Sequence, residues 1–127
     1  MFRERSLKVL SAVTGLLFLL GLFAIVQVVL QPPNPESAFE QMLGSVYGVL
    51  GIYLLLAVRK PSAHRSLIAF TAWSSVLHAT VMAVQAMRGA IPRIDLLRAV
   101  LPMFVIGVAL IVLAPVKQPE ASAATVR

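Results

Sequence analysis

The sequence predicts an all-α fold, an integral membrane bundle of four antiparallel transmembrane helices, and three observations carry that prediction. Four apolar runs, at 9–30, 42–58, 67–87 and 96–113, fill most of the chain. Each comes close to the ~17–25 residues that a helix rising about 1.5 Å per residue needs to cross about 30 Å of hydrocarbon. Of the 127 residues 59% are hydrophobic and 13% charged, and the mean hydropathy is +0.90. An ordinary soluble domain carries about 25% charged residues, so this chain has too little polar surface to cover itself in water. The basic residues, finally, stand between the runs and at their ends.

The first run follows a basic start, Arg3, Arg5 and Lys8. A secretory signal begins in the same way, but its apolar core is about 7–15 residues long and ends at an Ala-x-Ala-like site. The run here is longer and no such site precedes Gln31, so it is expected to remain as a span. Pro32, Pro33 and Pro35 then force an extended loop, since proline cannot donate to a helix and restricts the residue before it. Ser37, with Glu40 three residues later, has the spacing of a capping box for the second helix. After Arg59 and Lys60, Pro61 breaks the chain and Ser62 is the expected cap of the third helix. Gly89 and Pro92 should end that helix. In the fourth, Pro102 cannot donate to the Arg98 carbonyl, which predicts a kink. Residues 1–114 thus form one membrane domain. The tail, 115–127, has too few apolar residues to bury and is expected to be disordered and cytoplasmic.

Charge orients the bundle. Arg3, Arg5, Lys8, Arg59, Lys60, Arg65, Lys117 and Arg127 fall on one side, and Arg88, Arg93 and Arg98 on the other. Cytoplasmic loops carry the excess of Lys and Arg, which puts both termini of a multi-pass chain in the cytoplasm. The net charge of +6 finds its counter-charge in anionic head groups rather than in nucleic acid, because no arginine-rich run or aromatic-basic alternation is present. There is no cysteine, which excludes disulfides, thiolate metal sites and cysteine nucleophiles.

Chemistry concentrates on the third span. Thr71, Ser74, His78, Met82 and Gln85 recur at alternating three- and four-residue spacing and so share one helix face, with Ser75 beside them. Ionisable groups inside a bilayer are costly and usually face protein or water, so this stripe should point into the bundle. His78, deep in the span, could serve as a haem ligand, a metal ligand, a proton relay or a hydrogen-bond donor to a quinone. Equally, it could be a neutral imidazole bonded to a neighbouring helix. No further His, Asp or Glu stands at its depth, so neither a catalytic residue nor a metal site is assigned. Gly44 and Gly48 form a Gly-x-x-x-Gly pair that Gly51 extends, a small surface for close helix approach, within the monomer or across a homodimer. This surface is expected to lie near the polar stripe, to which Tyr47 and Tyr53 could hydrogen-bond. Trp73 reads as an interfacial anchor or packing element.

On the outer side, Glu36 and Glu40 could pair with Arg88, Arg93 and Arg98, at about 0–1 kcal/mol for each exposed pair. Arg98, a turn inside the fourth span, could instead hold an anionic head group or a partner's carboxylate, or snorkel to the interface.

The stretch 41–85 has a recognisable texture. Met42, Gly44, Tyr47 and Gly48 lead to Arg59, Pro61, His64, Arg65, Ser66, Leu67 and Ile68, then to Phe70, Trp73, Ser74, Ser75, His78, Met82 and Gln85. It resembles a family of small bacterial four-span membrane proteins known only as a domain of unknown function, most specifically in Arg-x-Pro-x-x-His-Arg-Ser-Leu-Ile. The resemblance implies four spans in a bacterial inner membrane and points at His64, Arg65 and His78, but brings no activity, cofactor or partner. A looser likeness links it to the small DoxX-like four-helix membrane proteins, a fold-level analogy.

Three classes of function follow. With no solvent-facing domain and no catalytic constellation, a non-catalytic accessory subunit of a larger membrane complex leads. A bundle binding a quinone, pigment, lipid or haem at Thr71, Ser74, His78, Gln85 and Tyr47 comes next. An oligomeric transporter or channel is third, although no internal repeat supports an inverted-repeat design. The expected partners are the lipid bilayer and other membrane subunits or a second copy.

Overall fold

The computed structural model describes residues 2–32 and 34–115, and every described regular element is helical. The first limb runs from α1 (Phe2–Leu19) through one 3₁₀ turn (Leu20–Leu22) into α2 (Phe23–Leu30). The helix therefore begins well before the apolar run at 9. Its polar first turns are helical because Glu4 and Lys8, one turn apart, pair at 3.2 Å, a contact worth a few tenths of a kcal/mol.

The second limb, α3 (Pro35–Ala57), also starts before its apolar run. Proline's fixed φ suits the first helical position, where no N–H is needed. Ser37 consequently lies inside the first turn and does not cap it: its hydroxyl donates to the Asn34 carbonyl at 3.0 Å. The expected capping box is thereby replaced. Ser62 likewise caps nothing, because Pro61–His64 forms a 3₁₀ turn that leads directly into α4 (Arg65–Met87), with no side-chain cap. α4 ends as expected at Gly89, whose φ of +76° closes a Schellman turn. The Gly89 and Ala90 N–H groups donate to the Ala86 and Gln85 carbonyls. At the expected kink, the chain widens into a π-helical turn, Leu96–Val100, before α5 (Leu101–Leu113), and the Leu101 N–H reaches back to Leu96. Pro102 follows directly, so the irregularity sits where a donor is lost.

Among the described residues, four helices are long and apolar enough to cross a membrane: Phe2–Leu22, Ser37–Ala57, Pro61–Met87 and Leu96–Leu113. α1 packs antiparallel to α3, α4 antiparallel to α5, and α1 joins the two hairpins by lying against α5. The core between them holds Leu7, Ile68, Ala72 and Leu110. Large apolar side chains point outward around the bundle, among them Phe39, Phe70, Trp73 and Phe104. Trp73, 63% exposed, belongs to this outer surface, as an anchor would.

Both ends of the described chain meet. The Arg3 guanidinium donates to the Val112 and Ala114 carbonyls at 3.1 and 2.9 Å, and Arg65 Nε donates to the Pro115 carbonyl at 3.0 Å. These carbonyls would otherwise be orphaned at a helix C-terminus, where the macrodipole also favours cations. Beyond Pro115, the expected disordered tail lies outside the described residues.

Candidate functional site

α4 places its polar stripe by its own periodicity, and most of the stripe turns inward on itself. Thr71 is fully buried, and its hydroxyl donates to the Leu67 carbonyl one turn back at 2.9 Å. Ser74 donates to the Thr71 carbonyl at 3.1 Å. Where lipid offers no partner, such back-bonding satisfies a hydroxyl at little cost to the helix. Gln85 is exposed, near the helix end, so the stripe does not converge on one point.

His78 is half-buried, and its ring meets Tyr47 of α3 edge to face, at a centroid distance of 5.6 Å and 68° between planes. Tyr47 meets Phe18 of α1 in the same manner, at 4.8 Å and 73°. The three rings form a column across three helices, in which the electropositive edge of one ring faces the π-cloud of the next. Tyr47 thus meets the polar stripe ring to ring and not through the expected hydrogen bond. Tyr53, 56% exposed, points away.

The glycine surface, in contrast, does not face α4. It packs on α1. A Cβ on Gly51 would fall 2.7 Å from the Gly15 carbonyl oxygen and 2.8 Å from the Leu19 nitrogen. One on Gly48 would overlap the Leu22 side chain, and one on Gly21 would overlap the Gly44 carbonyl. The expectation that Gly44, Gly48 and Gly51 lie against the polar stripe is therefore corrected. A four-residue loop holds α3 beside α2 and α1, and the 3₁₀ turn at Leu20–Leu22 brings Gly21 onto Gly44. Gly48 and Gly51 are buried in this contact within the chain, and Gly44 is half-buried beside them. α3 and α4 barely touch beyond the aromatic column. α4 instead finds its own close partner in α5, where a Cβ on Gly107 would stand 2.9 Å from the Ala72 carbonyl oxygen.

Three fully buried hydroxyls, on Ser11, Thr14 and Ser75, have no hydrogen-bond partner among the described residues. Ser75 flanks the stripe. Ser11 and Thr14 are marked in the sequence only by their spacing in Leu7, Ser11, Thr14 and Phe18, a buried row easily mistaken for part of a lipid-facing run. Since Leu7 and Ile68 share the core and α1 and α4 run the same way, seven residues further along each helix brings Thr14 and Ser75 to one depth. They lie one layer before the ring column.

Arg88, Arg93 and Arg98 are exposed, as is Glu40. Among the described residues the one ion pair is Glu4 with Lys8, so Glu40 does not pair with the outer arginines. The expected pairing of Glu36 involves a side chain outside the described set. The described residues hold no group of three His, Cys, Asp or Glu arranged to bind a metal ion.

A family model described as a family of unknown function, DUF6632, matches residues 4–126, well past the stretch 41–85. Neither curated proteins nor solved structures yielded a match.

Proposed function

The chain belongs to that family of unknown function, and since membership assigns no activity, we propose from the geometry that it is a non-catalytic accessory subunit that packs against a larger membrane complex. One observation carries this reading. Three of the polar groups of α4 are used within the fold, Thr71 and Ser74 on their own helix carbonyls and His78 in a ring column with Tyr47 and Phe18. The outward faces offer broad apolar surface, with aromatic side chains on all four limbs in Phe23, Phe39, Phe70, Trp73 and Phe104. Such surface suits lipid and neighbouring subunits alike. We place both termini in the cytoplasm of a bacterial inner membrane, on the excess of Lys and Arg at the end where Arg3 and Arg65 lie.

Purification in a mild detergent, with native mass determination, tests the proposal. A larger membrane protein should co-elute in fixed stoichiometry; a chain that elutes alone from its own membrane under all mild conditions overturns it. Reporter fusions after Lys60 and at the C-terminus should read cytoplasmic, and fusions at Asn34 and Gly89 external. A cytoplasmic signal at Asn34 overturns the orientation.

The second reading, a ligand bundle, is favoured by the ring column and by the unpartnered hydroxyls of Thr14 and Ser75 at the neighbouring depth. An absorption band from haem, or a quinone extracted from the purified protein, would move it to first place.

A further inference from the structure

The cations at the end of the bundle where the termini meet are not equivalent. Arg3 and Arg65 are engaged with the last carbonyls of the chain's described part, and Lys8 is engaged with Glu4, which it neutralises. On α1 this leaves Arg5 without a side-chain partner among the described residues. Arg5 is exposed, and it lines an open groove of about 400 Å³ whose other walls are Ser6, Val9, Leu10 and Val13. These five residues follow one face of the helix. Ser6 also has no side-chain partner among the described residues. Leu10 packs against the core cluster and so forms a fixed floor.

We propose that this groove holds one anionic glycerophospholipid, with its phosphate on Arg5 and Ser6 and an acyl chain along Val9 and Val13. The polar groups stand at the charged end of the helix and the apolar walls continue toward its middle, which is the order of head group and chain in a leaflet. From Arg5 to Val13 the helix rises about 12 Å, comparable with the ~15 Å of hydrocarbon in one leaflet. A guanidinium presents a planar fork that matches phosphate bidentately, and the serine hydroxyl adds a donor. Charge complementarity selects the head group: an unpaired cation above an apolar trough disfavours a zwitterionic lipid relative to an anionic one. This inference stands apart from the accessory-subunit reading, since it needs only that the helix lie in a bilayer.

The experiment is native mass spectrometry of the full chain in mild detergent, titrated with palmitoyl-oleoyl phosphatidylglycerol or with the matching phosphatidylcholine. One phosphatidylglycerol should be retained in preference to phosphatidylcholine. Arg5→Gln should weaken that retention about fivefold, the effect of one basic residue near a charged surface. Val13→Trp, which fills the trough and keeps the charge, should weaken it by at least as much. Arg59→Gln with Lys60→Gln, also at this end but outside the groove, should leave it unchanged. Equal retention of phosphatidylcholine overturns the proposal, as does an equal loss with the Arg59/Lys60 variant, which would indicate surface charge alone. If Arg5→Gln fails to insert, Val13→Trp decides: undiminished retention sinks the site.

Discussion

The α1–α3 seam and the α4 stripe solve the same problem in opposite ways. Both are rows of small or polar side chains in helices surrounded by apolar residues. In the seam, nothing is satisfied by side chains: Gly15, Gly21, Gly48 and Gly51 remove them so that two backbones can meet. In the stripe, the side chains remain and satisfy themselves locally, Thr71 on Leu67 and Ser74 on Thr71. Without a hydrophobic drive between helices in lipid, association depends on close packing and on hydrogen bonds. The seam provides the first in full. The stripe provides little of the second between helices, which is why α3 and α4 meet mainly through Tyr47 and His78. The comparison therefore separates residues that hold the bundle together from residues that merely reside in it.

The largest effect should come from the seam. Gly51→Leu forces a side chain onto the Gly15 carbonyl and the Leu19 nitrogen, backbone atoms that cannot swing aside. Overpacking of a fixed interior costs about 1–3 kcal/mol, and the upper end is expected here. Gly48→Leu should cost somewhat less, because its nearest obstacle is the flexible Leu22 side chain. Thermal or denaturant unfolding in detergent measures both. Wild-type stability of Gly51→Leu would remove the seam from its dominant place in the comparison.

That seam was half legible. The spacing of Gly44, Gly48 and Gly51 announces a close approach, but spacing on one helix does not name the helix that approaches. The complementary signal lay on the first limb, where Gly15 of α1 and Gly21 of the 3₁₀ turn are six apart and form no Gly-x-x-x-Gly pair. Only antiparallel pairing reveals it: moving up the first limb from Gly15 to Gly21 matches moving down α3 from Gly51 to Gly44. The four-helix architecture was legible throughout, since length and hydropathy determine it. Helix starts were less so, because polar first turns such as 2–8 and proline at position 35 are helical without being apolar. The widened turn before Pro102 was legible as a lost donor, though not as a π-turn. The end clamp was hidden, since Arg3 and Arg65 read simply as charges beside a membrane until their carbonyl partners more than forty residues away are known.

The clamp gives the next effect in size. Arg3→Gln with Arg65→Gln removes the donors at the end of α5, at about 1 kcal/mol each for cations at a helix C-terminus. Faster proteolysis or hydrogen exchange around Leu113 should accompany the loss. Unchanged exchange there would show that the clamp adds nothing to what packing already holds. Smaller again, Tyr47→Leu should cost about 1 kcal/mol by removing two edge-to-face contacts, one to Phe18 and one to His78, while restoring much of the buried area.

The smallest predicted effect falls on the residue with the most chemical promise. His78 sits at the end of the ring column, with Tyr47 on one side only. His78→Leu keeps the bulk, loses one ring contact, and removes a polar ring from a half-buried position where lipid is the alternative neighbour. The net loss should not exceed the ~0.6 kcal/mol typical of a side-chain hydrogen bond between membrane helices. Any co-purifying subunit should stay bound, because the outward faces are untouched. A ligand held by the imidazole behaves otherwise: it would be lost entirely while the chain still inserted and kept its stability. Unfolding and co-purification measured on the same variant thus separate packing from binding. A collapse of the fold would place His78 with Gly51 among the residues that hold the helices together, and loss of a ligand alone would make the stripe a site. Retention of both is the expected result. Among the described residues no carboxylate or second imidazole stands beside His78 to exchange a proton with it, and its contact with the Tyr47 ring is already accounted for by packing.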